Sequence, residues 1–222
     1  MEQIVTFADI KKNAVIKTYI LQADETLLKL GYTEHAFMHV MKTARKAGQL
    51  LLDFGYSERQ AELARIAGYL HDIGNVVNRV DHAQSGALMA FRILDGLGMA
   101  ADEVAVIIAA IGHHDEATAF PVSEVAAALI LADKSDVRRS RVRNIDQTSF
   151  DIHDRVNFAV KQAQLNLSQD RGSLTLDMAI DTDICPVMDY FEIFLSRMIL
   201  CRRAANFFKS SFRLVINGAV LL

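Results

Sequence analysis

Proline, tryptophan and cysteine are scarce in this chain. Its 222 residues include two prolines, two cysteines and no tryptophan. Because proline interrupts helices, its scarcity favours a helix-rich fold. Cys185 and Cys201 lack the short spacing of a cysteine metal site, and we interpret them as reduced, buried thiols.

Long hydrophobic runs and an excess of positive charge are also missing. No apolar run reaches the roughly 20 residues that a membrane-spanning helix needs, and residues 1–15 lack the apolar core of a signal peptide. The formal net charge is −3 with neutral histidine, so the chain has no general attraction for extended nucleic acid. We therefore expect a cytoplasmic protein with neither a membrane nor an extended nucleic acid as partner.

The first two-thirds of the chain reads as consecutive helices. Hydrophobic residues make up 51% of the sequence, which is enough for one sizeable core. Apolar positions recur at helical spacing, and capping residues such as Ser57 separate the segments. The last two segments are apolar nearly all round, which predicts that they are buried. The predicted helices span about 7–30, 34–54, 58–72, 82–97, 101–114 and 122–136.

The pattern changes after about residue 145. Residues 160–167 and 173–181 alternate apolar and polar side chains, which predicts a hairpin. A long helix should follow Pro186, and residues 211–222 predict a closing strand. This strand could pair with the other strands of the subdomain or with a second copy of the chain in a homodimer. The prediction is a mostly α protein: a helical domain over 1–145, and a small α+β subdomain over 146–222 with a three-stranded antiparallel sheet and one long helix.

Six of the seven histidines form one ordered series with two aspartates. Neutral imidazole and carboxylate are ligands of divalent metals, and the series lies mostly at predicted helix ends. The concentration of these residues in half of the chain predicts a shared, multinuclear metal site. The remaining histidine, His153, sits in a polar segment and is interpreted as a surface residue. The series is His35, His39, His71, Asp72, His82, His113, His114 and Asp133.

The local spacing within the series supports this interpretation to different degrees. His35 and His39 are four residues apart and share a helix face, which is also common on ordinary amphipathic helices. His71 and Asp72 are adjacent, so they can converge only where a helix ends. Asp133 closes the apolar run AALILAD, where a buried carboxylate requires a metal or a salt bridge to an arginine.

Three segments in order resemble the HD-domain superfamily of metal-dependent phosphohydrolases. They are HVMKTARKAG, IAGYLHDIGN and LILADKSD, and the resemblance covers about residues 30–145. The added His82 and the His113-His114 pair resemble the multinuclear branch, which includes the HD-GYP phosphodiesterases. The segment DEATAFPVS lacks the Gly-Tyr-Pro element, and Asn75 stands where the family commonly has Lys after HDIG. Both departures argue against cyclic di-GMP as the substrate.

The resemblance implies a helical bundle whose helix ends supply metal ligands around a cleft. It implies two divalent transition metals (Fe, Mn, Co, Ni or Zn) with a nucleophilic hydroxide between them. His35 stands where the branch often has a carboxylate, which leaves a third metal open. The implied ligands are His39, His71, Asp72 and Asp133 for metal 1, and Asp72, His82, His113 and His114 for metal 2.

Basic residues close to the ligands suggest how a phosphate would be held. Arginine binds phosphate with two parallel hydrogen bonds. The basic run that begins at Lys134 could equally form a solvated helix face or pair with nearby aspartates. Arg79, in the loop after the His-Asp pair, is a further candidate. Besides Asp72, the candidates for catalytic roles are Lys134 and Asp115, and Asp115 could act as a general acid or hold a ligand imidazole. The basic run contains Lys134, Arg138, Arg139, Arg141 and Arg143.

These observations together predict a metal-dependent phosphohydrolase. Its substrate would be a small phosphomonoester or phosphodiester, nucleotide-like in character. Two alternatives remain from sequence: a di-iron oxygenase with the HD fold, which uses similar ligands, and a non-catalytic sensor that binds a nucleotide in the metal cleft.

Overall fold

The computed structural model describes residues 4–144 and 146–221. It divides into two compact units, Met1–Asp133 and Lys134–Leu222. The first is helical and the second carries a small sheet, so the predicted mostly α class with a C-terminal α+β part is confirmed. The domain boundary proposed at residue 145 stays a prediction. Within the described ranges, none of the helices combines the length and apolarity needed to span a bilayer.

The first unit is built from seven α-helices, counted over its described residues. A short 3-10 helix, Ile73–Val76, joins the fourth to the fifth. The single helix predicted over 7–30 is divided at Asn13, whose side chain accepts hydrogen bonds from the backbone N–H groups of Val15 and Ile16 and starts a new helix. The helices are α1 Phe7–Lys12, α2 Ala14–Lys29, α3 Phe37–Phe54, α4 Glu58–Leu70, α5 His82–Gly96, α6 Ala101–Gly112 and α7 Glu124–Lys134.

Small residues let α3 and α4 approach closely. A Cβ atom on Gly68 would lie 2.8 Å from the Cα atom of Ala44, closer than side chains ever pack against a backbone. Ala44, Ala47, Ala61 and Ala64 are fully buried at the same contact. This close crossing brings the first turn of α3 near the last turn of α4, which is where two of the predicted ligands lie.

The two helices predicted to be buried differ from each other. In α7 every residue from Val125 to Leu131 is fully buried, which confirms that prediction. Helix α6 buries only one face, formed by Val104, Ile107, Ala110 and Ile111, and Ala105 is exposed. An apolar composition therefore identified both helices, but it did not show that α6 lies at the edge of the core.

The second unit contains a four-stranded sheet with the strand order β1-β2-β3-β4. The predicted hairpin is confirmed as the antiparallel pair β1–β2, and the long helix α9 follows it, packing against β2 and β3. The elements are α8 Ile152–Ala159, β1 Val160–Leu167, β2 Ser173–Ile180, α9 Val187–Phe207, β3 Ser211–Ile216 and β4 Ala219–Val220.

The expectation of three antiparallel strands was wrong in two respects. Strand β3 is parallel to β2, because α9 carries the chain back to the end of the sheet where β2 began. A fourth strand, β4, folds back on β3 after Asn217 and Gly218, which both have positive φ. Asn-Gly is the dipeptide that tight hairpins prefer, so the sequence contained this signal.

Candidate metal centre

Six of the predicted ligands lie together, and five helices of the first unit supply them. His39 lies in the first turn of α3, and His71 and Asp72 follow the end of α4 directly. His82 begins α5, while His114 lies two residues beyond α6 and Asp133 is in the last turn of α7. All six are buried, with at most 9% of any residue exposed: His39, His71, Asp72, His82, His114 and Asp133.

Three of the histidines are oriented by backbone carbonyls. Each has its Nδ1 atom close to the carbonyl oxygen of the residue three positions earlier. Because a carbonyl can only accept, Nδ1 carries a hydrogen, and in the neutral ring Nε2 is then the atom with the lone pair. The pairs are His71 with Gly68 at 2.9 Å, His82 with Arg79 at 3.0 Å and His114 with Ile111 at 2.6 Å.

The Nε2 atoms face one another across the carboxylate of Asp72. His82 Nε2 and His114 Nε2 are 3.2 Å apart, and His39 Nε2 and His71 Nε2 are 3.3 Å apart. Both rings of the His82–His114 pair have hydrogen on Nδ1, so in their neutral forms neither Nε2 can donate a hydrogen bond to the other. Lone pairs at this distance repel unless a cation lies between them, and this donor set therefore fits a metal ion.

Asp72 presents one carboxylate oxygen to each pair. Its Oδ2 atom is 3.2 Å from His71 Nε2 and 3.7 Å from His39 Nε2. Its Oδ1 atom is 3.6 Å from His82 Nε2 and 3.9 Å from His114 Nε2. This is the arrangement that a carboxylate shared between two metal positions would adopt.

Asp133 completes the side of the site that holds His39 and His71. Its Oδ1 atom lies 3.3 Å from His39 Nε2 and 3.7 Å from His71 Nε2. Three groups of ligand atoms, each within 4.8 Å of one another, could hold a metal ion: His39/His71/Asp72, His71/His114/Asp133 and Asp72/His82/His114. Metal–ligand bonds of about 2.0–2.2 Å place two ligands of one ion at most about 4.4 Å apart, and the nitrogen–oxygen distances of 3.2–3.9 Å given above lie within that limit.

The electrostatics of the site also favour a bound positive charge. Burial by itself would lower the pKa of His71, but the charges of Asp72 and Asp133 and their contacts with its Nε2 raise that pKa to about 10. Burial would likewise raise the pKa of Asp72, yet the charge and hydrogen bond of His71, with the charges of His35 and His82, hold it well below its usual value. The Asp72 carboxylate is therefore kept ionised beside the imidazoles.

Two predicted ligands, His113 and His35, lie outside the three groups. His113 is half-buried, and its Nδ1 atom is buried without a hydrogen-bond partner among the described residues. His35 is half-buried, places its Nδ1 atom 2.6 Å from the carbonyl oxygen of Thr33 and packs its ring edge-to-face against His39. Their roles as metal ligands stay predictions.

Arg79 and Asp115 lie beside the His82 side of the cluster. Arg79 Nη1 is 3.3 Å from His82 Nε2, and Arg79 Nη2 is 4.0 Å from Asp115 Oδ1. Asp115 Oδ1 is also 3.9 Å from His82 Nε2. The guanidinium group stacks over the ring of Tyr32 at 5.5 Å and donates to Asn75 Oδ1 at 3.4 Å. The sequence did not predict that Tyr32 and Asn75 contact the Arg79 guanidinium.

The basic run belongs to the second unit and is engaged within it. Arg138 Nε donates to Asp136 Oδ1 at 3.1 Å, and Arg141 Nη1 donates to the backbone carbonyl of Asp136 at 3.0 Å. Arg139 stacks over the ring of Phe158 and donates to its backbone carbonyl. Lys134 is buried. Pairing with Asp136 was the alternative left open from sequence, and phosphate binding by this run stays a prediction.

Comparison with known families agrees with the geometry of the site. The HD domain model matches residues 36–145, just under half of the 222 residues, and this range contains all six clustered ligands. Searches of curated proteins and of solved structures find no match. The family match and the buried histidine–aspartate cluster together support a relation of residues 36–145 to the HD family, whose members are largely metal-dependent phosphohydrolases.

Proposed function

We propose that this protein is a metal-dependent phosphohydrolase that cleaves a phosphomonoester or phosphodiester of a small, nucleotide-like substrate. The observation that carries the proposal is the pair of closely spaced imidazole Nε2 atoms on each side of the Asp72 carboxylate, with the Arg79 guanidinium beside them. A phosphoryl group needs cations around its oxygens, and this cluster combines a metal-binding donor set with a fixed organic cation.

The proposal assigns two metal positions that share Asp72. His39, His71 and Asp133 complete the first position, and His82 and His114 complete the second, whereas His113 lies outside the three groups. Divalent ions held there would polarise phosphoryl oxygens and acidify water. Two positions would place the protein in the multinuclear branch of the superfamily, and a third position at His35 is not needed for the proposal.

Two side chains beside the ligands would act on the substrate. Arg79 can donate from its guanidinium to the phosphoryl oxygens while its other contacts keep it next to His82. Asp115, about one-quarter exposed, lies at the rim of the cluster, 3.9 Å from His82 Nε2, and in its protonated form it would donate its proton to the leaving oxygen. We propose Asp115 as the general acid.

The first experiment measures metal content, followed by hydrolysis. The protein is purified without chelator or histidine tag, analysed for metals, and assayed against aryl phosphates and a panel of nucleotide monoesters and diesters. We expect two equivalents of transition metal per chain, and loss of at least one equivalent and most activity in Asp72→Asn. The matched control is Asp95→Asn, which changes an exposed aspartate on α5.

The outcomes separate the proposal from its alternatives. Metal-loaded protein that hydrolyses none of these substrates would overturn it. Oxygen consumption dependent on an organic substrate, with iron bound, would favour the oxygenase. Tight binding of a nucleotide without turnover would favour the sensor. A cytoplasmic location and a homodimeric state are part of the proposal, to be tested by fractionation and by light scattering.

A further inference from the structure

A buried amide connects the metal cluster to its neighbouring arginine. Asn75 is fully buried in the 3-10 helix Ile73–Val76. Its Nδ2 atom donates to the Oδ1 atom of Asp72 at 3.0 Å and to the backbone carbonyl of Asp72 at 2.9 Å. Its Oδ1 atom accepts from Arg79 Nη1 at 3.4 Å. One side chain thus touches both the shared carboxylate and the guanidinium.

The two contacts determine which residue type can stand at this position. A carboxylate can only accept hydrogen bonds and a guanidinium can only donate them. An amide satisfies both, with its nitrogen toward Asp72 and its oxygen toward Arg79. Aspartate at position 75 would repel Asp72, and lysine would repel Arg79, so neither can make the pair of contacts. This chemistry suits an asparagine at position 75 of this chain, where Asp72 and Arg79 lie on either side of the amide.

The backbone around Asn75 is held in place from both sides. Its own N–H donates to the carbonyl of Asp72 at 3.0 Å. The preceding residue, Gly74, is packed so closely against α5 that an added Cβ atom would lie 2.5 Å from the backbone nitrogen of Gly86. The amide therefore has a fixed position from which it can orient its two partners.

Arg79 needs such an anchor because its side chain is long. An arginine side chain carries about 2 kcal/mol of rotamer entropy, which is lost when it is held in one geometry. Tyr32 supports the flat face of the guanidinium at 5.5 Å, and Asp115 lies 4.0 Å from Nη2. Neither Tyr32 nor Asp115 connects the arginine to the Asp72 carboxylate, whereas Asn75 is hydrogen-bonded to both.

We propose that Asn75 is a positioning residue that orients Asp72 toward its two ligand groups and Arg79 toward a substrate phosphoryl group. The inference rests on the proposed function for the role of Arg79, whereas the role of Asn75 toward Asp72 concerns metal binding alone. Asn75 touches no substrate atom in this scheme and acts through its two partners.

The test is a double-mutant cycle with two binding measurements. Asn75→Ala, Arg79→Ala and the double variant are stripped of metal, titrated with Co²⁺ by calorimetry and visible absorption, and then titrated with inorganic phosphate once saturated with metal. Asn75→Leu, which keeps the volume without the hydrogen bonds, replaces the alanine variant if that variant does not fold. The control is Asn78→Ala, an exposed asparagine of the same loop.

We expect Asn75→Ala to weaken binding of at least one Co²⁺ equivalent by about 10–100-fold, the usual effect of losing a group that orients a metal ligand. It should also weaken phosphate binding, and this second effect should disappear when Arg79 is already alanine. Asn78→Ala should match the wild type in both measurements.

Three results would overturn the inference. One is unchanged Co²⁺ affinity in both Asn75 variants. Another is a loss of phosphate affinity that is equal in the presence and absence of Arg79. The third is metal-saturated wild type that binds no phosphate, which would remove the Arg79 role. The proposed function fails separately, if wild type binds metal but hydrolyses no phosphate ester, because the Co²⁺ titration does not depend on turnover.

Discussion

Replacing Gly74 by alanine should disturb the candidate metal centre, because it pushes apart two backbone segments that carry its ligands. Gly74 does not have positive φ, so its need for glycine comes from packing alone. A Cβ atom at this position would overlap the carbonyl oxygen of His82 and lie 2.5 Å from the backbone nitrogen of Gly86. Both neighbours are backbone atoms of α5, which cannot turn aside as a flexible side chain would.

The size of the effect follows from the distances. Non-bonded carbon atoms pack at about 3.5–4.0 Å, so the turn and α5 must separate by at least about 1 Å. Overpacking of this kind costs about 1–3 kcal/mol, and the lower entropy of unfolded alanine offsets about 0.4–1 kcal/mol of it. Asp72 lies on the turn and His82 on α5, so the same movement separates two ligands. A metal site tolerates a deviation of only about 0.2 Å in the length of each metal–ligand bond.

The assay combines thermal unfolding with metal titration. We expect Gly74→Ala to lower the melting temperature by about 2–4 °C for each kcal/mol lost, and to lose the equivalent bound by Asp72, His82 and His114. The control is Gly96→Ala at the end of α5, where no atom lies within 4 Å of the added Cβ atom and stability should be kept or slightly raised. A Gly74→Ala protein with wild-type melting temperature and full metal affinity would refute the reasoning.

Three further predictions concern single side chains. His114→Ala should lose one metal equivalent and His113→Ala should keep both, because His114 belongs to two ligand groups and His113 to none among the described residues. Elemental analysis that finds metal lost from His113→Ala and kept in His114→Ala would contradict the geometry. Tyr190→Phe should cost less than about 1 kcal/mol in denaturant unfolding, because its hydroxyl donates to the Met198 sulfur, a weak acceptor, whereas Tyr190→Ala should cost about 3–5 kcal/mol. Burial raises the pKa of the Cys185 thiol to about 11. Iodoacetamide at pH 8 should therefore alkylate Cys185 far more slowly in the folded than in the unfolded protein. The buried neutral thiol stabilises the folded state below pH 9, and this contribution is lost as the pH rises toward 11.

Most of the helices, and the six histidine and aspartate residues that cluster, could be predicted because their signals are local. Helical periodicity, capping residues and the alternation at 160–181 act over a few residues, and each leaves its pattern in the sequence. The exceptions have physical reasons. The break at Asn13 depended on one side-chain cap inside a continuous apolar pattern. The direction of β3 depended on the path of α9, which no local pattern encodes.

The sequence by itself determined that this protein is mostly helical, that it resembles the HD superfamily, and that its histidines and aspartates lie mostly at helix ends, because spacing and order along the chain carry that information. Only the tertiary structure decided which atoms meet. Adjacent residues such as His113 and His114 separate because the backbone opens where α6 ends, and only His114 joins the cluster. The link from Asp72 through Asn75 to Arg79 depends on how the turn packs against α5, where a glycine lets two backbones touch.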